Sequence, residues 1–406
     1  MGLIVQKFGG SSVADAAKIH AAARRVIAAK EAGHQVVVVV SAMGDTTDHL
    51  IELARQVCPN PPKRELDQLL ATGEQVTIAL MAMAIHAQGH EAISFTGGQI
   101  GLITDSAFTK ARIQSINKAR IFDQLNRGKI VIVAGFQGVT PDGEYTTLGR
   151  GGSNATLVAL GAVLKADACE NFTDVDGIYT ADPRIVPTAR KIDRISYDEM
   201  LELSGLGAQV LQTRAVEFAK KYNVPIHVRN SQNSREGTWI VAETPNMENI
   251  VVSGCALKKD ITRVSFKNVP DRPGVAALIF TTIADANIVV DDIIQTVSPD
   301  GTAAISFTVE HGDIADLQPV VERLVKELGG ATTASFDANL AKVSVVGVGM
   351  RTHTGVARKM FSALADAKIN IQNITTSEIK ISCIVSKDEG PRALNAVHDA
   401  FELGKA

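Results

Sequence analysis

Three turn-rich runs hold the residues whose types and spacing can do chemistry. KFGGSS at 7–12 puts Lys7 near the end of an apolar run, and Phe8, Gly9, Gly10 and Ser11 lead toward an Ala-rich stretch. Glycine backbone approaches a phosphate without a Cβ in the way, and a helix starting there aims N–H groups and partial positive charge at it. Lys7 would add a full charge to an oxygen of a transferring group. The run is neither GxxxxGK[ST] nor GxGxxG, and a plain strand-to-helix turn accounts for it equally well. TTLGRGGSNAT at 146–156 is a second such turn, with Arg150, Gly151, Gly152 and Ser153. Two anion-binding helix starts in one sheet suit a substrate that is negative at both ends. A guanidinium also pairs bidentately with a carboxylate, although a solvated loop arginine reads the same way.

TDVDGIYTADPR at 173–184 packs Thr173, Asp174, Asp176, Tyr179, Asp182 and Arg184 into one loop. Asp-Gly and Asp-Pro mark turns, and a loop at the C-terminal edge of a strand is where an α/β sheet takes a nucleotide. Its D-x-D-G spacing does not continue as a calcium loop. Ser41 and Thr47 follow the VVVVV run at 36–40, and Glu74 in ATGEQ is expected at a helix start. An exposed glutamate there commonly serves the helix dipole; the functional alternative is that it receives an ammonium group.

These residues need rigid elements to position them. Over the first 245 residues short Val/Ile runs alternate with helical stretches. Strands are expected at 3–8, 36–40, 92–95, 130–134, 168–173 and 225–228, and helices at 13–30 and 46–56. Apolar runs without alternation belong to strands buried on both faces, as in a parallel sheet covered by helices, so the fold class is an α/β sandwich. After residue 245 the texture changes to an internal repeat. Gly274-Val275-Ala276 falls on Gly355-Val356-Ala357, Phe280 on Phe361, and Ile288 on Ile369. Each copy reads as a βαββαβ unit.

Composition narrows the class. The 406 residues predict two or three domains. Lys+Arg number 41 against 44 Asp+Glu, a net charge of −3, which leaves no basic excess for nucleic acid or an anionic membrane. Cys58, Cys169, Cys255 and Cys383 are scattered singly and read as reduced thiols rather than metal ligands. The apolar runs at 36–40 and 76–85 are short for a membrane span, and no secretory leader is visible. A cytoplasmic protein is expected.

Taken in order, KFGGSS, VVSAMGDTTD, LATGEQ, VAGFQG, TTLGRGGS, TDVDGIYTADPR and VEFAKKYNVP resemble the aspartate kinase family, of the amino-acid kinase fold. The repeats resemble ACT domains. The resemblance implies an amino-acid kinase domain at 1–245 and ferredoxin-like ACT modules at 262–336 and 340–406, with 246–261 a linker or a strand of the ACT pair. It implies phosphoryl transfer from ATP with Mg²⁺ to the β-carboxylate of L-aspartate, the entry to lysine, threonine and methionine synthesis. Lys7, Phe8, Gly9, Gly10 and Ser11 would cradle the triphosphate, and Thr173, Asp174, Tyr179 and Arg184 would contact the nucleotide. Ser41, Thr47, Glu74 and the turn from Arg150 to Ser153 would take aspartate, with Arg150 on its α-carboxylate and Glu74 on its α-ammonium. Mg²⁺ would ride on the phosphates, with no dedicated protein ligand set.

An amino-acid effector, lysine or threonine or both, would sit near Asp271, Gly274, Asp291, Gln295, Asn370 and Ile371. Three positions depart from the family pattern. Asn154 stands where the turn usually continues with aspartate, Gln209 where many members have lysine, and Val289 where many have asparagine. The alternatives are another amino-acid kinase or a non-catalytic sensor of amino acid and nucleotide. A homo-oligomer is expected, or association with a separate regulatory subunit started at Met247.

Overall fold

A computed structural model describes residues 2–206, 210–242, 251–351 and 353–405. Gln209 and Met247 lie outside the described residues. The chain divides into two compact units: Met1–Tyr179 with Lys191–Met247, and Thr180–Arg190 with Glu248–Ala406.

The first unit is an α/β sandwich. Its eight-stranded sheet runs in the order Arg194–Ser196, Thr238–Val241, Ile226–Asn230, Ala168–Thr173, Leu3–Phe8, Gln35–Val40, Ile130–Ala134, Ala92–Phe95. Every pairing is parallel except that of Ile226–Asn230 with Thr238–Val241. The unbroken valines of 36–40 and all of Ile130–Ala134 are buried, as strands covered on both faces must be. Helices Ala16–Glu31 and Lys63–His86 cover one face through Ile19, Ala23, Val26, Ile78, Met81 and Ile85. Helix Gly152–Leu164 packs against Leu3–Phe8 and Ala168–Thr173.

Helix Lys63–His86 begins eleven residues before Glu74. The sequence expectation of a helix start at 71–75 is therefore corrected. Gly73 sits inside a continuous helix, where a Cβ would come 2.9 Å from that of Ala42, so the glycine reflects close packing rather than an end. This helix has the length and composition of a membrane span, yet half of its most apolar stretch is buried in the unit and Asp67 and Glu74 are on its inner face. A small four-stranded sheet, in the order Ile113–Ile116, Leu102–Thr104, Gln137–Val139, Tyr145–Thr147, adjoins the same helix.

The second unit has one six-stranded sheet, in the order Asp291–Val297, Thr302–Glu310, Gly254–Pro270, Thr333–Val346, Lys380–Ser386, Asn373–Thr376. The two long central strands pair antiparallel along both halves, Gly254 to Lys258 on Val346 to Lys342, and Ile261 to Lys267 on Leu340 to Thr333. Each half belongs to a different repeat. The second repeat thus takes its closing strand from 254–258, ahead of the first repeat in the chain. Its core also takes in Ala181 and Val186 from Thr180–Arg190, whereas the first repeat is closed around Val264, Phe266, Ile279, Phe307 and Leu324.

Candidate active site

Parallel strands end on one edge, so the residues that follow Leu3–Phe8, Gln35–Val40, Ile130–Ala134 and Ala168–Thr173 share it. Lys7 is buried there, and burial pulls its ammonium down to about 8 against the opposing pull of Asp174. A Cβ on Gly9 would come 3.3 Å from the Lys7 Nζ, and one on Gly10 would come 2.9 Å from the carbonyl oxygens of Ala42 and Gly44. At Gly10 a side chain would therefore meet backbone. The Phe8 ring is fully buried and stacks on Phe172 at 4.8 Å between centroids, so what this residue can offer a ligand is its backbone.

Beside Lys7 opens a cleft of about 390 Å³, lined by Ser41, Thr47, Glu74, Asn154 and the turn from Gly149 to Ser153. The aspartate-side residues expected from sequence are thus brought together. Glu74 Oε1 accepts the Ala42 N–H at 2.9 Å, while Oε2 is buried without a hydrogen-bond partner. Burial pushes this carboxyl up to about 7, with the backbone hydrogen bond opposing. The Ser41 and Ser153 hydroxyls lie 2.9 Å apart and draw the two strand-end loops together. Gly149 and Gly151 have φ of 77° and 71°, a backbone that favours glycine, and the helix begins at Gly152. Arg150 is exposed, with no carboxylate partner among the described residues. The arrangement can hold a small amphoteric molecule, with an anion-binding rim at the arginine and an ammonium-accepting floor at Glu74.

On the nucleotide side the Thr173 hydroxyl donates to Asp174 at 3.0 Å, and Tyr179 pairs in a short ladder with Lys191. Arg184, expected on the same side, falls outside the first unit. It belongs to the second, where its guanidinium grips Asp182 at 2.7 Å. Asp176 proves to be a scaffold: it accepts from Asn230, Asn233 and Arg235 at 2.6, 2.8 and 2.8 Å, and the Asn233 bond leads in holding its carboxyl below the usual range.

Sequence reading missed Asp67. Its carboxylate is wholly buried and accepts three hydrogen bonds from cleft-lining segments. The available signal was spacing, because Asp67 lies seven residues before Glu74 and so shares its helix face.

In the second unit Asp271, Gly274 and Gln295 line a hollow of about 400 Å³. Asp291 is not part of it, being 2.7 Å from the Lys342 ammonium. Asn370 and Ile371 lie in the second repeat, where Asn370 is exposed and Ile371 packs on the core.

The amino acid kinase family matches residues 2–230, and ACT domains match residues 262–329 and 343–401. The chain is 52% identical to aspartokinase 2 of Bacillus subtilis over 405 residues, covering 100% of this chain and 99% of that one. It is 51% identical to an aspartokinase of Pseudomonas aeruginosa, with 99% and 98% covered. Among solved structures it superposes on E. coli aspartokinase III in complex with aspartate and ADP with a TM-score of 0.85 at 25% identity, covering 98% of this chain and 99% of that one. The lysine and aspartate complex of the same enzyme gives 0.75 at 25% identity and the same coverage.

Proposed function

The chain belongs to the aspartokinase family, and from that premise we propose how its parts divide the transfer of the γ-phosphoryl group of ATP to the β-carboxylate of L-aspartate. A β-carboxylate oxygen forms the new bond to phosphorus, the bond from phosphorus to the bridging oxygen breaks, and ADP leaves with the electron pair. The acceptor is already ionised at neutral pH, so positioning and charge neutralisation carry the step and no general base is needed.

The observation that supports this reading most directly is the unpartnered Oε2 of Glu74, buried at the floor of the cleft. An ammonium is the group that would satisfy it and keep the carboxyl ionised. Arg150 at the rim takes the α-carboxylate, which leaves the β-carboxylate for the Lys7 side. Lys7, Gly9, Gly10 and Ser11 hold the phosphates, with Thr173, Asp174 and Tyr179 beside the nucleotide. Among the described residues no group of three or more His, Cys, Asp or Glu side chains is placed to hold a metal. Mg²⁺ is read as arriving on the phosphates, where it would neutralise oxygen charge.

The hollow at Asp271, Gly274 and Gln295 is read as the effector site, with lysine or threonine or both as ligand. The assembly is read as a homo-oligomer or an association with a regulatory subunit begun at Met247, and the location as the cytoplasm. The test is aspartate-dependent ADP release with and without millimolar lysine and threonine. ADP release that does not require aspartate would overturn the substrate. Activity unchanged by either amino acid would overturn the effector assignment.

A further inference from the structure

Asp67 lies in the first third of helix Lys63–His86, on the face that carries Glu74, and is fully buried. Its Oδ2 accepts the Thr109 N–H at 2.8 Å and the Thr147 N–H at 2.8 Å, and its Oδ1 accepts the Thr147 hydroxyl at 2.6 Å. One carboxylate thus ties together two segments that are distant in sequence, and both Thr109 and Thr147 line the cleft.

Thr109 has a φ of 71°, a left-handed backbone that a β-branched residue adopts only when its surroundings hold it there. The bond to Asp67 is one such restraint. The Thr109 carbonyl in turn packs against Gly149, where a Cβ would approach it to 3.2 Å. Thr147 ends its strand just before the Leu148–Gly149–Arg150 turn, and the Ala111 N–H donates to its carbonyl at 3.0 Å. From the other side Arg214 donates to the carbonyls of Ala111 at 3.1 Å and Leu148 at 3.4 Å. The turn bearing Arg150 is therefore held through Thr109 and Thr147, with the Asp67 carboxylate collecting the N–H groups and Arg214 collecting the carbonyls.

We infer that Asp67 is a positioning residue for the amino-acid acceptor, fixing the Arg150 turn and the Thr109 wall of the cleft without touching substrate. The inference rests on the aspartate kinase reading above. Its selectivity follows from the layout: the clamp supports the Arg150 side of the cleft, while the glycine cradle at 9–10 stands on a different strand end. Loss of the clamp is expected to weaken aspartate and spare ATP. Asparagine in place of Asp67 keeps the volume and can keep its oxygen on the two N–H groups, but its N–H₂ must then donate to a Thr147 hydroxyl turned round to accept, and the charge that strengthens all three bonds is lost.

Steady-state kinetics of the full chain test it. In D67N the KM for aspartate is expected to rise about tenfold or more while the KM for ATP stays within about twofold. T147V, which removes only the hydroxyl, should shift the aspartate KM in the same direction by a smaller factor. The double variant should be worse than D67N, because T147V takes away the hydroxyl to which the amide N–H₂ would otherwise donate. Equal changes in both KM values, or an unchanged aspartate KM in folded D67N, would overturn the inference. Should D67N fail to fold, T147V decides alone, and an unchanged aspartate KM overturns it. Wild-type turnover keeps the two readings separate: no aspartate-dependent ADP from the wild type sinks the kinase assignment. Amide exchange at Thr109 and Thr147, whose N–H groups both bond Oδ2, then tests the clamp, and protection unaltered in D67N overturns it.

Discussion

Lys342 of the second repeat, with its side chain 2% exposed, donates to Asp291 of the first repeat at 2.7 Å and also meets the adjacent Asp292. Thr375, again from the second repeat, donates to Asp292 at 3.1 Å. One buried ammonium therefore faces two carboxylates across the junction of the repeats, and Asp292 holds a left-handed φ of 45° beside it.

Removing that ammonium leaves Asp292, itself almost wholly buried, without its counter-charge. Lys342→Met is expected to lower the unfolding free energy of the second unit by about 3 kcal/mol, the size found when one partner of a buried pair is deleted. It should also weaken whichever amino-acid response the wild type shows, since the junction no longer links the repeats rigidly. Urea melts paired with inhibition curves check this. An unaltered inhibition curve in a destabilised variant would confine Lys342 to a structural role.

Glu74 is expected to tie aspartate binding to pH. Its carboxyl sits at about 7, so it is half protonated near neutrality in the empty cleft. The KM for aspartate should rise as pH falls below 7, because the protonated form no longer attracts an ammonium. The stability effect has the opposite sense. A carboxylate whose folded value lies above its ordinary one stabilises least when ionised, so its cost appears as pH climbs from about 4.5 to about 7. Glu74→Gln should therefore raise unfolding free energy at pH 8 by up to about 3 kcal/mol, with little change at pH 4.5, while aspartate binding collapses. A variant less stable than wild type at pH 8 would contradict this account of Glu74.

Lys7 should set an upper pH limit on nucleotide capture. Its buried ammonium loses its proton near pH 8, so kcat/KM for ATP in the free enzyme should decline above that point. Bound phosphates favour the charged form, and kcat itself should hold to higher pH. Lys7→Arg, which stays charged, should flatten any remaining pH dependence even at a lower rate. A kcat/KM profile level to pH 9.5 would show that Lys7 remains protonated in the empty site.

Asn154 lines the cleft with a buried Oδ1 that has no hydrogen-bond partner, at a position where the family pattern has an acid. We expect Asn154→Asp to change kcat by less than about tenfold, because the local field already contains Glu74 and Lys7. A rise of about a hundredfold would mean that the natural site is impaired.

Much of the fold was legible because its signals are local. The strands 92–95, 130–134 and 168–173 match the sequence expectation to the residue, and for 130–134 the reason is plain, since an uninterrupted Val, Ile and Ala run flanked by turns means a strand covered on both faces. The register of the two repeats was equally visible, because matched glycines and helix-facing residues recur in step. Glu74 was assigned to the aspartate site but given a false helix start. Thr72 and Gly73 resemble a break, and only the packing of Ala42 shows why a glycine is kept inside the helix.

By itself the sequence determined the classes of element, the glycine turns at 9–10 and 149–152, and the family to which the chain belongs. The first two are properties of backbone freedom and apolar period, which neighbours along the chain suffice to express, and the family was carried by the resemblance of the motifs. Tertiary structure alone decided which side chains meet. It placed Arg184 with the second unit, borrowed residues 254–258 to close the last repeat, and put Asp67 under Thr109 and Thr147. Each of these depends on contacts between residues dozens of positions apart, and a buried charge acquires its role from whichever partners the fold delivers to it.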